Sequence, residues 1–308
     1  MNTRFHQGVD STALAVPFRE KSSDAPLEIL SFALDALKSG MPAALIFLTE
    51  IRGGAARALG AQMAVRADGG FCGFVSGGCV EAAVAAEALE ALELGTDKEL
   101  MLGAGSPYFD IVLPCGGGLT LTIHCLKDGT ALSEIVRGLK ARRRVALRYV
   151  PASSSLVFDA QAVETGWSEA GFTMAYRPAP LIFVSGQSIE TETLSRIAQS
   201  ASYEVRQLDP ANAPKPEDFD PDSALVLLHH DIEREVGPLI AALAGAPFYI
   251  GALGGVRTHA RRVAKLEELG CSKASIERIK APIGIFSKAR DAVSLSLSIL
   301  ADIAALRR

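Results

Sequence analysis

The chain has no excess of charge of either sign. Its 308 residues carry a formal net charge of −4 at pH 7, so no overall basic field argues for nucleic acid or an anionic membrane. It also lacks any apolar stretch of about eighteen residues free of charges and breakers, so no membrane span is expected. The first twenty residues have no continuous apolar core, and no signal peptide is read there. Cysteine is sparse: five residues, an odd number at irregular spacings, argue against a disulfide framework and for a reducing compartment. Cys72…Cys79 and Cys115…Cys125 miss the short Cys-x-x-Cys spacing of structural zinc sites. No Ser-His-Asp set can be inferred from sequence order. The expectation is a soluble, cytoplasmic protein.

What is present is a globular composition, 49% hydrophobic and 21% charged, at a length that allows two domains. Residues 1–24 are polar and aperiodic and read as a mobile leader. From residue 25 to 128 the pattern is α+β. Leu27, Leu30, Leu34 and Leu37 recur at helical spacing, and Ala43–Glu50 is an apolar strand. Two short runs around Asp68-Gly69 form a hairpin, and Val80–Leu94 is a helix closed by Gly95. Asp110–Leu113 and Leu119–Leu126 are strand-like. Residues 129–179 read as a connecting segment with one helix, the solvated triplet Arg142-Arg143-Arg144 and one strand. From 180 to 308, short apolar strands alternate with helices, the rhythm of a Rossmann-like, doubly wound parallel sheet.

Two glycine-flanked cysteines carry most of the chemical information. They lie in Ser76-Gly77-Gly78-Cys79-Val80-Glu81 and Pro114-Cys115-Gly116-Gly117-Gly118. Glycine lets backbone approach a ligand closely, and Cys79 precedes a helix, whose dipole favours the thiolate. Two such thiols in one domain suggest a site for an anionic, sulfur- or metal-containing ligand. Cys72, Cys125 and Cys271 read as small hydrophobes in strands or a loop.

The second half carries a decayed dinucleotide fingerprint. Its first strand-to-helix turn, Val184-Ser185-Gly186-Gln187-Ser188-Ile189-Glu190, keeps only Gly186, although Asp209 ends the next strand where a ribose would be gripped. Glu190 would repel a diphosphate, so ordinary NAD(P) binding is disfavoured. His229-His230-Asp231 follows the third strand, where one histidine at most faces the crevice; His230 is taken as the ligand contact, with Asp231 better explained as a helix cap. The glycine turn through Gly254, with Arg257 after it, is read as an anion site.

These segments resemble the XdhC/CoxI family of accessory proteins for xanthine dehydrogenase and related molybdenum hydroxylases. The resemblance runs through Leu59-Gly60-Ala61-Gln62-Met63-Ala64-Val65, both cysteine loops and Tyr249-Ile250-Gly251-Ala252-Leu253-Gly254. It continues through Thr258-His259-Ala260, Arg262, Pro282-Ile283-Gly284 and Ser298–Ile303. It implies a protein, more a chaperone than an enzyme, that binds molybdenum cofactor, helps it acquire sulfur and delivers it to an apo-hydroxylase. A cysteine desulfurase partner and a homodimer are expected on the same ground.

The implied cofactor contacts are Cys79, Cys115, Gly77, Gly78, Gly116, Gly117, Arg57 and Glu81, with Cys79 and Cys115 nearest the molybdenum. Gly186, Asp209, His230, Asp231, Gly254 and Arg257 follow in the second domain. The family's Gly-Ser-x-Pro-Arg loop has become Gly53-Gly54-Ala55-Ala56-Arg57, and its late Thr-Pro has become Asp291-Ala292. An NAD(P)-dependent oxidoreductase and a docking protein without ligand remain the alternatives.

Overall fold

The computed structural model describes residues 15–106, 116–229, 231–286 and 288–307. The chain divides into two compact units, one through Tyr176 and the other from Arg177.

The first unit is organised by the central strand of a six-stranded sheet. In chain order its elements are β1 (Phe18–Lys21), α1 (Pro26–Lys38), β2 (Ala43–Arg52), β3 (Gln62–Arg66), β4 (Gly70–Gly73), α2 (Glu81–Leu94), β5 (Lys98–Gly103) and β6 (Gly118–Cys125). The strand order is β1-β4-β3-β2-β6-β5; β1 joins β4 in parallel and the other pairs are antiparallel. Alternation along β2 sends Ala44, Ile46 and Leu48 to one face and Leu45 and Phe47 to the other. Both faces are covered, which is why β2 reads as a continuous apolar run. Burying each such Leu, Ile or Phe contributes about 1.5–3 kcal/mol. Helix α2 lies over the first face through Val84, Ala85, Ala88 and Leu89, and stops where Gly95 takes φ 66°.

The opposite face is closed by α1, α3 (Thr130–Lys140) and a second sheet. This sheet comprises β7 (Val145–Val150), β8 (Ser155–Asp159), β9 (Gly166–Ser168) and β10 (Gly171–Tyr176), ordered β8-β7-β10-β9 and antiparallel throughout. Residues 129–176 are therefore part of the first unit's core. Leu147, Tyr149, Phe172, Met174 and Tyr176 all pack with Phe47 and Leu45. Asp97 ties these layers together. Its carboxylate accepts from Tyr149 Oη at 2.7 Å and Cys125 N at 2.9 Å, and meets His124 Nδ1 at 2.9 Å. Burial pushes its pKa up, but these bonds and the charge of His124 hold it down at about 2. Burial pushes the thiols of Cys72 on β4 and Cys125 on β6 up to about 11; Cys72 is buried and Cys125 half-buried, as small hydrophobes in strands are.

The stretch read as a leader also differs. Phe18–Lys21 forms an edge strand, and Phe18 N donates to Gly69 O at 2.9 Å. All four residues are exposed, so no apolar alternation announces the strand.

The second unit contains β11 (Leu181–Ser185), α4 (Ile189–Ser200), β12 (Glu204–Gln207), β13 (Ser223–Leu227), α5 (Glu233–Ala244), β14 (Tyr249–Ala252), α6 (Val256–Glu268), α7 (Lys273–Ile276), β15 (Ile279–Lys280) and α8 (Ala292–Leu306). Its all-parallel sheet runs β12-β11-β13-β14-β15. Leu181, Phe183, Leu225 and Leu227 face a layer containing Leu239 of α5 and Leu266 of α6. Ile182, Val184, Ala224 and Val226 face Leu194 of α4 and Ile299 and Ile303 of α8. This is the expected doubly wound arrangement. Asp291 caps α8 by accepting from Ser294 N at 2.8 Å, so the changed Asp291-Ala292 still starts the helix. Among the described residues no helix is long and apolar enough to cross a membrane.

Candidate functional site

In the first unit, three glycine-bearing loops meet. The loop after β2 turns at Gly53, with φ 80°, and runs beside Gly117 so closely that a Cβ on Gly117 would stand 2.1 Å from Gly54 O. On its other side, a Cβ on Gly77 would stand 3.4 Å from Ala56 Cβ. Loop 53–57 is thus the middle member, touching both loop 116–118 and loop 76–80. Arg52, which ends β2, donates to Ala104 O at 3.0 Å and to Thr120 Oγ1 at 2.6 Å beside the junction.

Loop 76–80 is held by a carboxylate. Glu81, the first residue of α2, is fully buried. Its Oε1 accepts from Ser76 N at 2.9 Å and Val75 N at 3.2 Å, and its Oε2 accepts from Val80 N at 3.2 Å. Ser76 Oγ donates to the same group at 3.0 Å. The amides of Gly77, Gly78 and Cys79 have no partner among the described residues, and all three residues are exposed. Gly78 has φ 108° and open space around it, a conformation that favours glycine. Successive unpartnered amides on exposed residues, beside an exposed thiol, form a surface suited to an anionic ligand with a soft centre. Arg57 stands at the edge of this junction, 2.8 Å from Asp24 and over the ring of Phe74.

The second unit holds a cavity of about 450 Å³ at the carboxyl ends of β11, β12 and β13. This is the point where the strand order reverses, and ligands of open α/β sheets bind there. Ser185 Oγ and His229 Nε2 meet at 2.9 Å in its wall, with Gln187, Asp209, Glu233 and Arg234 around them. Gly186 is packed inward, since a Cβ there would stand 3.1 Å from Leu228 O and 2.5 Å from Thr191 Oγ1. Beyond the cavity, Arg262 and Glu235 form a buried bidentate pair at 2.6 and 3.1 Å between α6 and α5. Arg262 also donates to Leu253 O at 2.8 Å, fixing the end of β14.

Comparison with known proteins agrees with this two-part plan. Residues 36–102 match the XdhC and CoxI family, and residues 182–303 match the XdhC Rossmann domain. The molybdenum cofactor insertion chaperone PaoD of Escherichia coli (strain K12) is 50% identical over 279 residues, 91% of this chain and 88% of that protein. The chain belongs to the XdhC and CoxI family. A crystal structure of a protein described as a xanthine dehydrogenase (BH1974), from Bacillus halodurans, shares the fold. Its TM-score is 0.69 at 18% identity, covering 92% of this chain and 96% of that one.

Within this XdhC and CoxI scaffold the residues singled out from sequence separate into groups. Cys79, Gly77, Gly78, Gly116, Gly117 and Arg57 gather around the loop junction, while Cys115 lies outside the described residues. Glu81 belongs to the junction but faces inward: with its carboxylate occupied by loop amides and a hydroxyl, it positions the loop and does not present itself to a ligand. Gly117 is buried, and its lack of a Cβ admits Gly54 O rather than a ligand.

In the second unit Asp209 lines the cavity, whereas Gly254 and Arg257 are not among its lining residues. Gly254 packs against Thr258, and Arg257 is exposed on α6. Asp231 accepts from Glu233 N at 3.1 Å, as a helix-start residue does. His230 lies outside the described residues; the histidine that lines the cavity is His229. Ser185 and His229 were missed, yet a signal for them was present. They continue by one step the face of Leu181 and Phe183 and that of Leu225 and Leu227.

Proposed function

We propose that this protein binds molybdenum cofactor at the three-loop junction and delivers it to a molybdenum hydroxylase of the xanthine dehydrogenase type. The observation that carries the reading is the run of Gly77, Gly78 and Cys79 amides, unpartnered among the described residues, beside an exposed thiol, on a chain half identical to a named insertion chaperone. The cofactor is cargo, and the residues suit it. Its phosphate is an acceptor for backbone amides, and its molybdenum–dithiolene end is soft enough for a thiol partner. Cys79 would face the metal, with Cys115 as the second candidate. Arg57 would add charge for the phosphate. A chaperone needs capture and release without turnover, so an open, half-exposed junction suits it better than an enclosed pocket.

A cytoplasmic setting, a cysteine desulfurase that supplies the terminal sulfur, and a homodimer belong to the same proposal. The nicotinamide alternative has less support. The buried Val184 occupies a glycine position of the fingerprint, and Glu190 stands in the first turn of α4.

Anaerobic titration with purified molybdenum cofactor tests the reading, wild type beside Cys79→Ala. The expected result is saturable binding that the variant weakens by at least tenfold. Absence of wild-type binding overturns the chaperone reading; binding unchanged in Cys79→Ala overturns the role of the thiol.

A further inference from the structure

The edge strand β1 brings one more cation to the loop junction. Arg19 lies with its guanidinium carbon 4.7 Å from the centroid of Phe74 and 5.7 Å from that of Phe71. Arg57 approaches the same Phe74 ring at 5.5 Å. Phe74 lies between β4 and loop 76–80, and Arg57 follows Ala56, the residue that abuts Gly77. The two guanidiniums therefore share an aromatic platform at the root of the Cys79 loop.

Their charges are not equally compensated. Arg57 is paired with Asp24 at 2.8 Å, and on β1 itself Glu20 meets Arg66 while Lys21 meets Glu28 at 3.0 Å. Arg19 has no carboxylate within ion-pair distance among the described residues, and it is exposed. Both cations stand against one ring, whose π system attracts and orients each of them. A guanidinium held by stacking, with its N–H fork unspent, is a ready partner for a phosphate group.

We infer that Arg19 is a specificity-determining residue of the loop junction: together with Arg57 it grips a phosphate or pyrophosphate group of the ligand. This rests on the reading of the junction as the cofactor site, and it gives β1 a task beyond closing the sheet edge. The phosphate ester is bound without any bond being made or broken.

The test compares wild type, Arg19→Ala, Arg19→Lys and Phe74→Leu, each checked by circular dichroism. Each is titrated anaerobically with molybdenum cofactor, with its dephosphorylated pterin, and with pyrophosphate followed by phosphorus NMR. Loss of one charge-assisted bond predicts about tenfold weaker cofactor and pyrophosphate binding for Arg19→Ala. Arg19→Lys should recover part of this, Phe74→Leu should fall between, and dephosphorylated pterin should not distinguish wild type from Arg19→Ala. Equal binding of cofactor and pyrophosphate by wild type and Arg19→Ala overturns the inference and leaves the chaperone reading standing. A wild type that binds no cofactor removes that reading. The Arg19 grip then stands if pyrophosphate binding is weakened in Arg19→Ala, and falls if it is unchanged or absent.

Discussion

Each unit holds a glutamate that is almost completely buried, Glu81 in the first and Glu235 in the second, and the two serve opposite purposes. Glu81 in the first unit is satisfied by amides and a hydroxyl of a single loop, so its negative charge is spent on shaping an exposed turn. Glu235 in the second unit is satisfied by a buried arginine from another helix, so it fastens two elements of the core. Burial pushes the Glu235 pKa up, and Arg262 opposes that rise. The lesson is that a buried carboxylate near a suspected site must be judged by what it accepts from. One acid shapes an exposed loop; the other holds a scaffold.

Removing one partner from each arrangement separates the two roles. Glu235→Ala should have the largest effect on stability, about 3–5 kcal/mol, because it strands the Arg262 guanidinium without a counter-charge. Urea unfolding followed by circular dichroism measures this, and an Arg262→Met/Glu235→Leu double variant should recover most of the loss. A recovery below half would mean that the pair does more than hold α5 to α6.

Gly117→Ala should come next, at about 1–3 kcal/mol, since the new methyl meets Gly54 O and the loops must part. The same variant should weaken cofactor binding in the titration. Wild-type stability with lost binding would show that the loops yield without strain.

Asp97→Asn sharpens the comparison from a third position, where a carboxylate joins layers rather than loops or helices. It should cost about 1–3 kcal/mol at neutral pH by weakening bonds to buried donors. The pH dependence has a definite sign. The folded pKa of Asp97, about 2, lies below its ordinary value of 3.8, so the acid binds fewer protons folded than unfolded there. Its contribution is complete above pH 4 and falls away as pH drops towards 2. Acid titration of unfolding midpoints should therefore show a shallower decline in this range for Asp97→Asn than for wild type. Cys79→Ala should be the smallest perturbation of stability, about 0.5 kcal/mol or less, because the thiol is exposed and its loop is held by Glu81.

The doubly wound half was legible almost strand by strand, because its apolar runs and helices alternate at ordinary lengths. The hairpin at Asp68-Gly69 and the helix ending at Gly95 were legible for local reasons, a turn pair and a C-cap. What escaped the sequence had no pattern of its own. The β1 strand is wholly exposed, and β8 to β10 are short strands broken by serine- and glycine-rich turns, whose partner face exists only once β7 and β10 pair. The thiol and glycines of the loop junction were visible as chemistry. The inward turn of Glu81 was not, because a glutamate at a helix start reads equally well as a ligand contact or as a brace.

The sole tryptophan, Trp167, sits on β9 and donates its indole N–H to Thr49 O on β2 at 3.2 Å, with its ring edge-on to Phe172. Thr49 lies at the irregularity of β2 just before the strand runs into the Gly53 loop. Nature has thus placed one intrinsic fluorophore where the two sheets of the first unit meet, a few residues from the loop junction. Its emission reports on the first unit alone, so denaturation seen by fluorescence and by far-ultraviolet dichroism can be compared without a label to learn whether the two units melt together.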